Sequence, residues 1–410
     1  MIIELHLLQS FPVSNLNRDD MGQPKTATFG GAVRGRISSQ SLKRSARQYF
    51  TQNGLAEEET GVRTKRLLHQ AAARLTEKNL GPEEHTRLIV AEGLATLGFG
   101  IDRSTQLTEY LLFVGRQASE FLAQYCIDKQ AELIAKVEEK AAAAAKAEQK
   151  KSAAKDGTQP PAKPAAKAAK IKPSKEQLEA AARVLDARRV ADVALFGRMI
   201  ADNKGFNVDA ASQVAHAIST HAVASEFDYY TAVDDEKPGD ASGADMIGTV
   251  DFNSACYYRY ANVDLGQLGT NLGGDGDLLA RTARAWLYAF VQARPSGKQN
   301  SMAALTMPHA FLGVVRDSGT WNLANAFLKP VDSLDLMTDS TERMLHHFGS
   351  LRRFYGDTAI RSVTAATVSG DLPHVAVDDV APSLDDFASR VLTTAGVSPR
   401  EQPETLVPAP

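Results

Sequence analysis

Residues 15–47 read NLNRDDMGQPKTATFGGAVRGRISSQSLKRSAR, and the rest of the chain is interpreted outward from this stretch. Its basic residues are Arg18, Lys25, Arg34, Arg36, Lys43, Arg44 and Arg47, against two acidic residues, Asp19 and Asp20. The whole chain of 410 residues carries 46 Lys and Arg against 49 Asp and Glu, a net charge of −3. A basic block inside a slightly acidic protein is a local feature and indicates a polyanionic ligand.

The layout of this block predicts a strand that leads into a helix. Arg34 and Arg36 alternate with apolar or small residues, so a strand would direct both guanidinium groups to one face. Ser38 or Ser39 can cap the helix that follows. Gly30 and Gly31, which precede the predicted strand, allow another backbone or a ligand to approach closely.

The predicted helix combines cations with free backbone amides. Lys43 and Arg47 are four residues apart and therefore lie one turn apart, with Arg44 beside them. A helix N-terminus suits a phosphate, and the polar side chain of Gln40 lies at that end. The alternative is a solvated basic helix after a turn, with no ligand.

A series of short motifs runs along the chain, beginning in the basic block. They are NLNRDD, FGG and RISSQSLKR in the basic block, GRM at 197–199, AHAISTH at 215–221, TAVDD at 231–235 and YYRYANVDL at 257–265. Together they resemble the CasC family, the backbone subunit of type I-E CRISPR effector complexes (Cascade). The resemblance implies an α+β fold with an RRM-like (ferredoxin-like) palm, a helical fingers insertion and a β-hairpin thumb. The order of predicted elements, β-α, insertions and β-α-β, also suits such a palm.

The sequence and the resemblance together predict a palm that is interrupted twice. Its first part covers 1–56, with a strand at 2–8, and the fingers cover 57–211 with a flexible Ala/Lys/Pro-rich segment at 135–175. A palm helix follows at 212–223 and the thumb at 224–256. The second part of the palm, 257–395, is expected to contain strands at 301–307 and 310–316, a loop insertion near 345–360, and a short strand and helix within 375–395. Residues 396–410 are expected to be a disordered tail.

The thumb is predicted from two β-prone runs, FDYYTAV and MIGTVDF, which flank an acidic, turn-forming segment. Tyr229 and Tyr230 near the base of such a hairpin could stack on bases or wedge between them; the alternative is that both pack in the core. The CasC resemblance implies that an apolar or aromatic pair turns one RNA base aside, at positions matching Met199 and Tyr230. Tyr230 replaces a Phe in the family pattern, which retains stacking and adds a hydroxyl.

The function implied by the resemblance is a non-enzymatic scaffold. Several copies would stack head to tail along a CRISPR RNA (crRNA) and leave its bases free to pair with a target DNA strand, in contact with other Cascade subunits. The predicted RNA-binding residues are Arg18, Lys25, Arg34, Arg36, Ser38, Gln40, Lys43, Arg44, Arg47, Met199, Tyr229, Tyr230 and Lys298. Most of them would hold phosphates without regard to sequence.

Two other functions remain open from the residues. A type III-like backbone subunit would cleave target RNA with an aspartate near the thumb, for which Asp228, Asp234 and Asp235 are candidates. A stand-alone RRM-like RNA chaperone would not form long assemblies. Periodic, metal-dependent cleavage of a complementary RNA would favour the first of these alternatives.

Other classes of function find little support. The GKQNS run at 297–301 lacks the glycine spacing of a P-loop, and no HExxH or GxSxG motif occurs. His216 and His221 are five apart and are interpreted as packing or polar core residues rather than metal ligands. Two isolated cysteines and the lack of an apolar run of about 18 residues favour a cytoplasmic protein without cofactor, metal or membrane contact.

Overall fold

The structure is a computed structural model that describes residues 1–102, 104–153, 174–200, 204–232, 246–370, 372 and 380–397. Its contacts divide the chain into two compact units. The first unit comprises Met1–Ala56, Ala194–Gly197 and Asp209–Pro410, and the second comprises Glu57–Val193 and Arg198–Val208.

The strands and helices alternate irregularly along the chain. The strands are β1 Ile2–Ser14, β2 Thr26–Phe29, β3 Ala32–Ile37, β4 Gly61–Thr64, β5 Ile101–Asp102, β6 Leu107–Thr108, β7 Leu112–Gly115, β8 Ser212–Val214, β9 Ala217–Ser219, β10 Glu226–Ala232, β11 Met246–Asp264, β12 Ala310–Arg316 and β13 Ile360–Thr367. The helices are α1 Ser39–Gln48, α2 Leu67–Glu77, α3 Glu83–Thr96, α4 Ala118–Asp128, α5 Gln130–Ala153, α6 Lys175–Val184, α7 Ala191–Phe196, α8 Leu265–Asn271, α9 Gly276–Gln292, α10 Gln299–Met302, α11 Leu336–Tyr355 and α12 Leu384–Thr394.

The first unit is built on an antiparallel sheet in the order β13-β12-β1-β11-β9-β3-β2, with β8 and β10 also paired to β11. Strand β1 lies in the middle and is buried on both faces, since Leu5 and Leu7 on one face and Leu8 on the other are fully buried. It is longer than the predicted strand 2–8 because its pairing with β11 continues to Ser14. The mixed α+β class is thus confirmed.

Helices cover both faces of this sheet. Leu312 and Val314 of β12 pack in one cluster with Met344 and Phe348 of α11. Gly313, whose neighbours point the other way, lies against α12, and a Cβ there would come within 2.8 Å of Phe387. Helices α1 and α12 both pack against α9. The centre of the sheet is therefore enclosed, and a ligand of this unit must bind at its loops, helix ends or projecting elements.

The second unit is mainly helical, as the fingers prediction requires of this part of the chain. Helices α2, α3, α4 and α6 share one apolar cluster, whose fully buried members include Leu68, Leu94, Leu122 and Ala181. Two short strand pairs, β4 with β7 and β5 with β6, were not predicted. Helix α5 continues to Ala153, so the first half of the Ala/Lys-rich segment is helical, and residues 154–173 lie outside the described part of the chain.

Three predicted elements are wrong. The palm helix at 212–223 is replaced by β8 and β9, because these residues pair with β11 and β3 and alternate between buried and less buried positions. The expected loop insertion near 345–360 is instead the C-terminal part of α11, followed by the start of β13. Residues 301–307 do not form a strand, because Ala303 adopts a left-handed conformation (φ 47°) that ends α10.

Other expectations are confirmed or lie beyond the described residues. Strand β12 occupies the predicted position 310–316, and the side chain of Asp275 caps helix α9. Helix α12 is present, whereas residues 373–379, where the short strand was expected to begin, lie outside the described residues. The disordered tail predicted at 396–410 is wrong at its start, because Val397 is buried and its amide donates to the Leu392 carbonyl at 3.0 Å; residues 398–410 lie outside the described part. None of the described helices is long and apolar enough to cross a membrane.

Candidate nucleic-acid interface

The loop between β1 and β2 is held rigidly by its asparagines. The side-chain amide of Asn15 donates to the carbonyl oxygens of Gly22 and Asp251, at 2.9 and 2.8 Å. The side-chain oxygen of Asn17 accepts the amide of Ser38, at 2.8 Å, and its backbone oxygen accepts the amide of Lys25. The loop that carries Arg18 and Lys25 is therefore tied directly to the start of α1.

Asp19 stabilises the same loop. One of its carboxylate oxygens accepts the amides of Met21 and Gln23, at 3.0 and 2.9 Å. Asp19 therefore caps the turn that follows it. The adjacent side chains of Arg18 and Asp20 are exposed.

Helix α1 begins and turns as the sequence predicts. Ser38 is its N-cap, and the Ser38 hydroxyl accepts the amide of Ser41 at 3.3 Å. Leu42 and Ala46 are buried, whereas Arg44 is exposed and Lys43 is half-buried. The buried face fixes the helix on the unit, and Arg44 on the opposite face is exposed to solvent.

Two further residues extend this cationic face. The ammonium group of Lys43 lies 5.4 Å from the centre of the Phe196 ring, which orients its long side chain. Arg47 lies in the last turn of α1, and Gln40 is exposed in the first turn. The charges of the helix therefore lie between Lys43 and Arg47, and its first turn carries the neutral polar side chain of Gln40.

Arg34 does not belong to this surface, and the prediction that it binds RNA is wrong. Its side chain is fully buried and donates to the carbonyl oxygens of Ser219 at 3.0 Å and Phe327 at 2.7 Å. Its Nε also donates to the Phe29 carbonyl at 3.3 Å. Arg34 therefore joins β3 to β9 and to the turn before α11, because buried carbonyls at that junction need donors.

Arg36 remains near the surface beside the start of α1. Its Nε donates to the Thr26 carbonyl at 3.2 Å, and its Nη1 lies 3.3 Å from Nδ1 of His216. The same Nδ1 accepts the backbone amide of Ser39 at 3.3 Å. His216 is exposed, so the prediction of a packing role is wrong for this residue. No local pattern in the sequence indicates this contact, because it depends on the pairing of β9 with β3.

His221 has the polar interior role that the sequence predicted. Its Nδ1 donates to the Ala222 carbonyl at 2.8 Å, and its Nε2 accepts the amide of Cys256 at 3.3 Å. Both ring nitrogens are thereby used. Among the described residues, no group of three or more His, Cys, Asp or Glu side chains is placed to hold a metal ion.

Lys298 lies on a loop that packs against the loop between β1 and β2. Gly297 approaches it so closely that a Cβ would come within 2.4 Å of the Leu16 carbonyl oxygen. Lys298 itself has a left-handed backbone (φ 53°), a conformation that costs a non-glycine residue about 1 kcal/mol. The structure thus places Lys298 next to the loop that carries Arg18, and its role as a phosphate contact stays a prediction.

The thumb is present as the hairpin of β10 and β11, and its tip at 233–245 lies outside the described residues. All seven residues of β10 are exposed, so the alternative that both tyrosines pack in the core is wrong. Tyr230 pairs with Gly248, and its ring lies so close that a Cβ on this glycine would meet it at 2.6 Å. Tyr229 points to the opposite face, since successive residues of a strand alternate. Phe227, which is 73% exposed, shares the face of Tyr229 and was not predicted as a site residue.

Met199 belongs to the second unit and is held out into solvent. The preceding Arg198 is buried and donates to the carbonyls of Phe113 and Phe206, and burial lowers the pKa of its guanidinium to about 10. The backbones of Arg198 and Val208 exchange two hydrogen bonds of 2.9 and 2.8 Å. Met199 is 85% exposed beside this anchor, which is unusual for a large apolar side chain and suits a contact with a ligand.

Comparison with known proteins agrees with this arrangement. The model of the CT1975-like protein family (Cas_CT1975) matches residues 3–390. The chain belongs to this family. The resemblance to a CasC-type backbone subunit, first indicated by the short motifs, is thereby confirmed.

Solved structures are similar over nearly the whole chain. A chain of a "CRISPR RNA-guided surveillance complex, pre-nicking" has a TM-score of 0.77 and 27% sequence identity, covering 97% of this chain and 100% of that one. A chain of another "CRISPR RNA-guided surveillance complex" has a TM-score of 0.69 and 24% identity with the same coverage, and shows the likeness of fold alone. No curated protein matches the chain.

Proposed function

We propose that this CT1975-like family member is a crRNA-binding backbone subunit of a Cascade-type surveillance complex. The observation that carries the proposal is the cationic face of α1 together with the hydrogen-bonded loop at its N-terminus. We call the exposed and half-buried cations of this region, Arg18, Lys25, Arg36, Lys43, Arg44 and Arg47, the basic surface. The family and the similarity to subunits of RNA-guided complexes support RNA as the polyanion.

The basic surface would hold the RNA backbone rather than read its bases. Its members are ammonium and guanidinium groups on a hydrogen-bonded frame. Such contacts position a strand without reading its sequence. The N-terminus of α1 adds a partial positive charge, and Gln40, Ser38 and Lys298 would supply further polar contacts at that end.

Tyr230 on the thumb and Met199 on the second unit would interrupt the stacking of the bound strand. Both are exposed apolar or aromatic groups carried on anchored backbone, which is what wedging between bases requires. Tyr229, on the other face of the hairpin, would face the neighbouring segment of the RNA. In this proposal one base is turned aside at a regular interval, and the others remain available for pairing with target DNA.

We further propose that the subunit is of the type I-E class, that its copies assemble head to tail along the crRNA, and that it is not an enzyme. The strand order β12-β1-β11-β9, with α1 and α9 as the paired helices, fits an RRM-like core for the palm. In an RRM the open face of the sheet binds RNA. Here α11 covers the corresponding face, so the RNA would instead follow the basic surface and the thumb.

The test is to measure the binding of the full-length chain to unrelated single-stranded RNAs of equal length. Lys43→Ala should weaken binding by a similar factor for each sequence, and the slope of log affinity against log salt should decrease in magnitude by about 0.7. Arg353→Ala, which removes an exposed cation of α11, is the matched control. A loss confined to particular sequences would refute the phosphate assignment.

The type III-like alternative gains no specific support. Of its candidate aspartates, Asp228 is described, and its side chain accepts the amide of the adjacent Tyr229 at 2.8 Å. Asp234 and Asp235 lie outside the described residues. Cleavage of a complementary RNA at regular spacing, dependent on a divalent metal, would favour this alternative over the proposed scaffold.

A further inference from the structure

His216 contacts Arg36 of the basic surface, although the sequence predicted a packing or polar core role for it. It lies between β8 and β9 and is exposed. Its Nδ1 lies 3.3 Å from the amide nitrogen of Ser39 and 3.3 Å from Nη1 of Arg36. The imidazole therefore connects the first residue of α1 to a guanidinium group of β3.

The two contacts determine which nitrogen carries the proton. A backbone amide and an arginine side chain can only donate, so Nδ1 must accept. The neutral ring then carries its hydrogen on Nε2. Within the described residues Nε2 has no hydrogen-bond partner, and the exposure of the side chain leaves this N–H accessible to a ligand.

The surroundings favour this uncharged form. Partial burial, with the nearby charges of Arg36 and Lys25, lowers the pKa of the His216 imidazole below its ordinary value. At neutral pH the ring is thus a neutral donor surrounded by cations. A protonated ring would lose the acceptor at Nδ1 and would repel Arg36.

We propose that His216 is an RNA-binding residue that donates its Nε2–H to a backbone oxygen of the bound strand while its Nδ1 positions Arg36 and the start of α1. This inference rests on the proposed function, since it requires RNA at the basic surface. The acceptor is either a phosphate oxygen or a ribose 2′-hydroxyl. Both are sequence-independent, and only the second distinguishes RNA from DNA.

Two conservative substitutions separate the two roles of the ring. The side-chain oxygen of Asn in His216→Asn can take the place of Nδ1, but its amide does not reach the position of Nε2. The longer side chain of His216→Gln can place an N–H near Nε2. Because a hydrogen bond to a charged group is stronger than a neutral one, we expect His216→Asn and His216→Ala to weaken RNA binding about tenfold, and His216→Gln to retain most of it.

The experiment measures the affinity of the full-length chain for one mixed-sequence RNA and for DNA of the same sequence, by fluorescence anisotropy. Lys43→Ala serves as the positive control, and His346→Ala, an exposed histidine on α11, as the negative control. A loss with His216→Asn on both strands identifies a phosphate oxygen as the acceptor, and a loss on RNA alone identifies the 2′-hydroxyl.

Unchanged binding by all three His216 variants, with a loss for Lys43→Ala, would overturn this inference and leave the proposed function intact. Equal loss in His216→Gln and His216→Ala would also overturn it, because the outward donor would then be irrelevant. If neither Lys43→Ala nor the His216 variants changed RNA binding, the proposed function would fail together with this inference.

Discussion

The basic segment at 15–47 and the thumb hairpin at 226–252 are both proposed to contact one strand of RNA, yet they are built in opposite ways. In the basic segment the loop between β1 and β2 is held by hydrogen bonds, and Asn17 accepts the amides of both Lys25 and Ser38, the cap of α1. The described part of the thumb is two paired strands, with all of β10 exposed. The first region provides fixed charge, and the second provides projecting apolar surface.

Within the basic segment itself, residues that look alike in the sequence have different roles. Arg34 and Arg36 are two positions apart, and both were expected to bind RNA. One is fully buried among carbonyl groups and the other remains at the surface. A rigid charged surface therefore requires some cations inside it as structural donors, and charge alone does not show which residues have that role.

The largest expected effect is the loss of stability in Arg34→Ala. This change leaves buried carbonyls of Ser219 and Phe327 without donors, which should lower the free energy of unfolding by about 4 kcal/mol. Chemical denaturation of the full-length chain measures it, with Arg44→Ala as the matched surface variant. Equal stability of the two variants would contradict the internal role of Arg34.

The glycine pair before β3 offers a second matched comparison. Gly30 has φ 60°, and a Cβ there would overlap the Leu328 carbonyl oxygen at 1.6 Å, whereas Gly31 has φ 77° and no atom within 4 Å of that position. Gly30→Ala should therefore destabilise the protein by about 3 kcal/mol. Gly31→Ala should cost about 1 kcal/mol, from backbone strain alone. Similar thermal unfolding temperatures for the two variants would show that the loop does not pack as described.

The third prediction addresses the charge of the basic segment directly. Replacing both Lys43 and Arg44 by Ala should weaken RNA binding about 30-fold, or about 2 kcal/mol, with little change in unfolding. Affinity measured at several salt concentrations should show a slope reduced by about 1.4, since two phosphate contacts are lost. An unchanged slope would mean that these side chains do not contact phosphates.

The smallest expected effect on affinity is that of Tyr230→Ala. The thumb is proposed to shape the bound strand rather than to hold it, so affinity should change by less than about 1 kcal/mol. The spacing of reactive nucleotides in chemical probing should nevertheless be altered. Tyr229→Ala, on the other face of the hairpin, is the comparison; an unaltered probing pattern for Tyr230→Ala would count against the wedge.

Much of this could be predicted from local signals in the sequence. The thumb strands and the Ser38 cap of α1 each depend on neighbouring residues and were found in this way. Helix α11 also carries a local signal, since its buried Met344, Leu345 and Phe348 have helical spacing. The prediction of a loop insertion near 345–360 did not take this spacing into account.

The errors concern features that depend on distant partners. Strands β8 and β9 have three residues each and exist because β11 and β3 pair with them. The burial of Arg34 depends on carbonyls up to 294 positions away, and the contact of His216 with Arg36 spans 180 positions. Neither periodicity nor composition over a short window contains that information.

The most direct test of the central claim is nucleotide-resolution chemical probing of the RNA that copurifies with the full-length chain and its partner subunits. The account predicts short, repeat-derived transcripts in which single nucleotides become reactive at a regular interval, separated by protected segments. Absence of such transcripts, or an evenly protected RNA without periodic reactive positions, would contradict it.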